Sequence, residues 1–293
     1  MSKDRVVVSP DLMPDWLEKR RGIFYEIDGQ LIRGVLTLDQ MQLVVEHRNP
    51  FEVKVLSLLE ILMEDTKKCL QKFFGQGIEI DPLPEKFTEE NLARWGEFNL
   101  KPVFLPDEEV AENRKLKDYT KPEKFFYDKI REGKIAADGA TLKRGWCLAD
   151  LTIGVDYTDG TQVFQNDPLA SLITKLREEE RVGRYDNTPA GSRFAITNDE
   201  WRNTVCPAFA KELGFKPEQI RLERAIEFNA IGNLYDPNRG KFNMWEWFED
   251  AFEDSRRLHG GDRRHGGLAD VDYDTSDFRY GIIAGRPLVS FVK

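Results

Sequence analysis

The chain has 293 residues, a formal net charge of -9 and a pI near 5.1, with 40% hydrophobic and 11% aromatic residues. That length suits one large or two modest domains, and the apolar share argues against wholesale disorder. The acidic balance argues against general binding to nucleic-acid phosphate, and no run approaches the roughly 18 apolar residues of a membrane span.

The N-terminus, "MSKDRVVVSPDLMPDW", mixes valines with prolines and acids and lacks a secretory pattern. Cytoplasmic synthesis is the default expectation, with exposure outside the cell by another route compatible with it. Residues 1–50 suggest short strands around a hairpin turn at Asp28-Gly29, then a short helix that stops at Asn49-Pro50. "EKRRG" (18–22) reads as a solvated face. The clearest helix runs through "FEVKVLSLLEILMEDTKKCLQKFFGQG". Val55, Leu58, Leu59, Leu62, Thr66, Cys69, Leu70 and Phe73 fall at helical spacing there, and Gly75 is its natural stop.

Between 78 and 125, Pro82, Pro84, Pro102, Pro106 and Pro122 break up the pattern. This reads as a surface segment with one or two short helices, followed by a connector near 116–139. "GWCLADLTIGVDY" (145–157) is a strand candidate. A helix then opens with Asp167 as cap and Pro168 in its first turn, with Leu169, Leu172, Ile173 and Leu176 as its stripe. Thr197 and Glu200 form a capping box; Pro207 should kink or split the helix that follows, and Gly214 should end it. The remainder reads as short strands and irregular structure. The pattern is α+β, with a mixed, mainly helical N-terminal domain over 1–139 and a second domain over 140–293.

Motifs for common chemistries fail. "GQGIEI" follows a helix, so it is no dinucleotide fingerprint, and no phosphate loop is present. "AGSRF" (190–194) is no nucleophile elbow. His259, Asp262 and His265 would share a face on a helix, but paired glycines on both sides exclude one. Asp270, Asp272 and Asp274 resemble the start of a calcium loop, yet Thr275 stands at its glycine position and Gly281 at its closing Glu. Glu246, Glu249, Asp250, Glu253 and Asp254 read as a solvated acidic face. Cys69, Cys147 and Cys206 form no CxxC and no disulfide framework, and each reads as a buried reduced thiol.

The tail has an unusual composition. Residues 244–293 contain no Asn or Gln, and the sole Lys there is Lys293. Asp, Arg, Tyr, Phe, His and Gly fill the places between regularly spaced apolar residues. Tyr, Trp, Arg and Asp suit a surface that must bind, because they combine contact area with directed hydrogen bonds.

This tail carries Trp245-Glu246-Trp247, Arg257-Leu258 with Gly260-Gly261, Gly266-Gly267-Leu268-Ala269 with Val271, Ser276-Asp277 with Arg279, and Gly285-Arg286-Pro287-Leu288. It resembles the variable ends of target proteins of diversity-generating retroelements, of the kind found in small-genome uncultivated bacteria. Those ends combine W-E-W, "RL.GG", "GGLA.V", "S-D-x-R" and "GFRPL.SF". One departure is Gly285 where the family pattern has Phe, which removes an aromatic anchor. The resemblance is close over about the last 50 residues and loose back to about residue 140.

The resemblance implies a C-type-lectin-like C-terminal domain of the variety shared with formylglycine-generating enzymes. It also implies non-enzymatic ligand binding through side chains exchanged by mutagenic reverse transcription at template adenines. Asn, Lys and Gln have adenine-rich codons, so their scarcity fits positions already changed. The implied ligand contacts are Phe248, Asp250, Phe252, Asp254, His259, Asp262, Arg263, Arg264, His265, Asp270, Asp272, Tyr273, Asp274, Phe278 and Tyr280. Trp245, Trp247, Leu268, Val271 and Phe291 would form the frame. The implied partner is a protein or surface polymer, with no nucleic acid, metal or cofactor; an oligomer is compatible with it. Two alternatives are an enzyme on the same fold, similar to oxidases with a paired-cysteine copper site, and a phage-derived structural component.

Overall fold

The computed structural model describes residues 58–75, 77–116, 118–158, 161–185 and 187–291. The chain divides into two compact units, Met1–Ile61 and Leu62–Lys293. The elements expected within 1–50, the "EKRRG" run and the start of the following helix lie outside the described residues.

Helix α1 spans Leu58–Phe74. Thr66, Leu70 and Phe73 of the expected stripe are buried, and Leu62 and Cys69 are half-buried. Gly75 ends the helix in the left-handed region, at φ 71°, and donates its N–H to the Gln71 carbonyl at 2.9 Å. Thr88 caps α2, Glu89–Gly96.

The expected surface segment then contains a strand. β1, Leu100–Leu105, buries Leu100, Val103, Phe104 and Leu105. The expected connector holds α3, Lys124–Arg131, with Phe126 and Tyr127 buried. β2, Gly145–Asp150, is buried at every position and pairs antiparallel with β1. The boundary expected at 139/140 therefore does not match the division of the chain: residues 62–139 belong to the same unit as the tail.

α4 spans Ala170–Glu178, and Asp167 accepts the Leu169 N–H just before it at 2.9 Å. The capping box forms: Thr197 Oγ1 accepts from the Glu200 N–H at 3.1 Å, and Glu200 Oε2 from the Thr197 N–H at 2.9 Å. The α-helical turn Asn198–Glu200 passes into a π-helical stretch, Trp201–Val205, and then α5, Cys206–Leu213. Pro207 lies in the first turn of α5, where its missing N–H costs little, and the π-stretch absorbs the expected break. Gly214 ends α5 at φ 75°.

There follow β3, Ile220–Leu222; α6, Ala225–Leu234; β4, Trp245–Phe252; β5, Arg256–Gly260; β6, Val271–Thr275; β7, Ile283–Gly285; and β8, Pro287–Ser290. Two four-stranded sheets result, with orders β1-β2-β8-β3 and β6-β5-β4-β7. The first is antiparallel throughout; in the second, β4 and β7 run parallel. The chain crosses from one sheet to the other at Arg286, between β7 and β8.

Three buried guanidiniums tie these elements together. Arg193 pairs with Asp150 and, at 2.7 Å, with Asp167. Arg239 pairs with Glu223 and donates to the Asp150 carbonyl at 2.8 Å. Arg286 pairs with Glu246 at 2.8 Å and donates to the Thr152 carbonyl. Burial opposes ionisation of Asp150, but Arg193 and Arg286 outweigh it and hold its carboxyl below the usual range.

Gly285 has an evident partner. A Cβ built there would lie 2.5 Å from the Trp201 indole, and Trp201 is fully buried. An aromatic from the π-stretch thus covers the place where the resembled pattern carries Phe.

Candidate ligand-binding surface

β5, β6 and the loops after them place the candidate residues. The Gly260-Gly261 pair fixes the exit from β5. A Cβ on Gly260 would lie 2.0 Å from the Asp270 carbonyl oxygen, and Gly261 has φ 98°. Asp262 then caps the turn Arg263–His265: its Oδ1 accepts the Arg264 N–H at 2.7 Å, and its carbonyl accepts the His265 and Gly267 N–H groups.

Of the expected contacts, Asp254, Arg263, Arg264, His265, Asp272, Phe278 and Tyr280 are exposed, and Tyr273 and Asp274 are half-buried. Phe278 and Tyr280 have ring centroids 5.8 Å apart, and Tyr185 meets Tyr280 at 6.4 Å. Asp254 lies in the β4–β5 turn, at the other end of that hairpin from residues 261–270. Tyr273 stacks on Phe252 at 3.9 Å and on Phe125 at 6.0 Å, so its ring joins a packed stack.

Six expected contacts are buried instead, which corrects them as direct contacts in this conformation. β4 is an inner strand of its sheet, and all but three of its eight residues are buried. The expected alternation of frame and outward residues is therefore lost. Phe248 packs on Phe228 at 5.2 Å, and Phe252 under Tyr273. Asp250 accepts the first N–H of α6, from Ala225, at 2.6 Å and pairs with Arg224 at 3.3 Å. Glu246, held by Arg286, is likewise no part of a solvated acidic face. Asp262 holds the turn, and its side chain is fully buried.

His259 lies between Trp245 and Trp247, at 5.3 and 5.4 Å. Its Nε2 is 3.4 Å from the Asp274 carboxylate, but neither ring nitrogen has an aligned hydrogen-bond partner. Asp270, the sixth, accepts the Trp245 indole N–H at 3.0 Å and the Asp262 N–H at 2.9 Å, both on Oδ2. Of the expected frame, Trp247 and Val271 are buried, while Trp245, Leu268 and Phe291 are half-buried.

A cleft of about 360 Å³ collects His265, Asp270 and Asp272 with Trp245, Val271, Glu123 and Phe125. Trp245 stacks on His265 with centroids 5.6 Å apart and planes 21° from parallel. Glu123 and Phe125 are the residues that sequence reasoning missed. They come from the start of α3, and Glu123 reaches the Val271 N–H from 148 residues away in the chain.

Charge pairing separates Asp270 from its peers. Among the described residues, the buried Asp150, Glu223, Glu227, Asp236, Glu246, Asp250 and Asp262 each have a guanidinium partner. Asp270 has no ion-pair partner among them. Burial pushes its carboxyl up to about 6, against the pull of its hydrogen bonds and the two histidines.

The folded state therefore takes up this proton more readily than the unfolded chain. Asp270 costs stability when ionised above about pH 6, and the cost shrinks as pH falls toward 4. Asp270→Asn is expected to stabilise the protein at pH 7.5 by about 1 kcal/mol and to lose most of that gain by pH 4.5. Urea denaturation at the two pH values measures both.

Among the described residues, no group of three His, Cys, Asp or Glu is placed to hold a metal ion, and no helix is long and apolar enough to cross a membrane. All three cysteines are free thiols; Cys147 and Cys206 are buried and Cys69 is half-buried. Comparison with family models, curated proteins and solved structures finds no match.

Proposed function

We propose that the unit is a non-enzymatic ligand-binding module of C-type-lectin-like design. In this reading, its C-terminal face is diversified by mutagenic reverse transcription, and its partner is a protein or a surface polymer. The observation that carries this reading is the split within residues 245–291. The side chains that shape the backbone are buried and paired, while Arg263, Arg264, His265, Asp272, Phe278 and Tyr280 stand outward on β6 and the adjoining turns. Such a frame keeps its shape when outward groups are exchanged, because their replacement leaves the buried contacts intact; Arg264 is the exception, since its guanidinium meets the buried Asp262 carboxylate at 2.8 Å.

An oxidase on the same fold is less well supported. Burial pushes the Cys147 thiol up to about 12 and raises Cys206 as well, so each rests as a packed neutral thiol, and stoichiometric copper uptake by two of the cysteines would favour this alternative.

Sequencing related copies of the gene tests the proposal. Variation is expected at Arg263, His265, Asp272, Phe278 and Tyr280, with Trp247, Phe248, Asp250 and Asp262 constant. A reverse transcriptase and an imperfect repeat of the 3′ end are expected in the neighbouring DNA. Equal variation at outward and buried positions would overturn the proposal.

A further inference from the structure

We propose that the cleft beside Trp245 takes an organic cation, the ammonium or guanidinium head of a ligand. Phe125, Trp245 and His265 would surround it, and Asp270, Asp272 and Glu123 would neutralise it. This names a ligand class for the face described above and rests on reading that face as a binding surface.

A carboxylate withdrawn from water is costly unless a positive group meets it. Elsewhere in this unit, buried carboxylates are met by an arginine of the same chain. Asp270 instead lines an open cleft, with both of its hydrogen bonds on Oδ2.

Aromatic walls add a second attraction, since the face of an indole or phenyl ring draws a cation. Lys129 lies 5.5 Å from the Phe125 ring but is held by Glu132 at 2.8 Å. Among the described residues, no Lys or Arg lines the cleft itself. Its volume of about 360 Å³ is at the small end for a ligand pocket and suits one side-chain head group. A hard metal ion would need six or more oxygen ligands, whereas here Glu123 already accepts the Val271 N–H and Asp272 the Tyr273 N–H.

The Trp245 indole N–H is bonded to Asp270 and so reports on the site. In the ¹⁵N-labelled full chain, its signal is assigned with Trp245→Phe and followed during titration with n-butylammonium, n-butylguanidinium and the neutral n-butanol. The expected result is a saturable shift with both cations and none with butanol. Binding should weaken at least tenfold in Asp270→Asn and measurably in Asp272→Asn, an exposed change that leaves the core untouched. Equal shifts with butanol, or wild-type binding in both variants, would overturn the inference.

A lysine-bearing peptide that binds more tightly than spermidine assigns the cation to a protein partner; the reverse order assigns it to a free amine. The two proposals fail separately. Cation binding in a protein whose related copies are invariant removes the diversified-surface reading and keeps the cleft. Variable copies without cation binding do the opposite.

Discussion

Arg193→Ala is expected to destabilise the protein by about 3–5 kcal/mol, a large share of the roughly 5–15 kcal/mol that holds an ordinary domain together. Arg193 is fully buried and is met by two carboxylates, Asp150 and Asp167, from opposite ends of the 150–167 segment. Its removal strands both charges in a site closed to water. The Asp167 carboxylate is held twice, by Nε at 2.8 Å and by Nη2 at 2.7 Å, so Arg193→Lys loses the fork and is expected to fall between wild type and Ala. Adding Asp150→Asn to Arg193→Ala should recover part of the loss by removing one stranded charge. Chemical denaturation of the four proteins measures the series; a loss under about 1 kcal/mol for Arg193→Ala would mean that the pair is solvated.

Gly285→Phe is expected to cost about 3 kcal/mol or more, although Phe stands at this position in the pattern that the tail resembles. Even a Cβ there would meet the Trp201 ring at 2.5 Å, so a phenyl group must displace a fully buried indole. Trp201→Ala alone opens a cavity and is expected to cost about 3–5 kcal/mol. The double change Trp201→Ala with Gly285→Phe should cost clearly less than the sum of the single changes, because one aromatic replaces the other. Thermal unfolding of the four proteins closes this cycle, and additive costs would show that the two side chains do not share one space.

Signals confined to one stretch of chain were legible in the sequence. The stripe and glycine stop of α1, the Asp167 turn before α4, the Thr197–Glu200 box and the Gly214 stop each depend on residues within a few positions of one another. β1 was hidden by Pro102, which demotes a strand in sequence but is tolerated where β1 lies, at the edge of its sheet. β4 was misjudged because an inner strand buried on both sides loses the alternation that marks frame from surface. The guanidinium that makes Asp250 internal, and the α3 residues that complete the cleft, come from distant parts of the chain, which no local pattern can supply.

Among the described residues β6 forms one edge of its sheet; Glu123 and Asp272 accept its Val271 and Tyr273 N–H groups, and Asp274 lies farther along it. An open strand edge invites pairing with another molecule, and charged side chains discourage it. If related copies exchange Asp272 and Asp274, apolar replacements at both would leave the fold intact yet expose a strand ready to add a neighbour. On the function proposed above, the repertoire of such a face would be narrowed by self-association as well as by fit to a partner. On that proposal, functional copies should keep at least one charged or strongly polar group along β6.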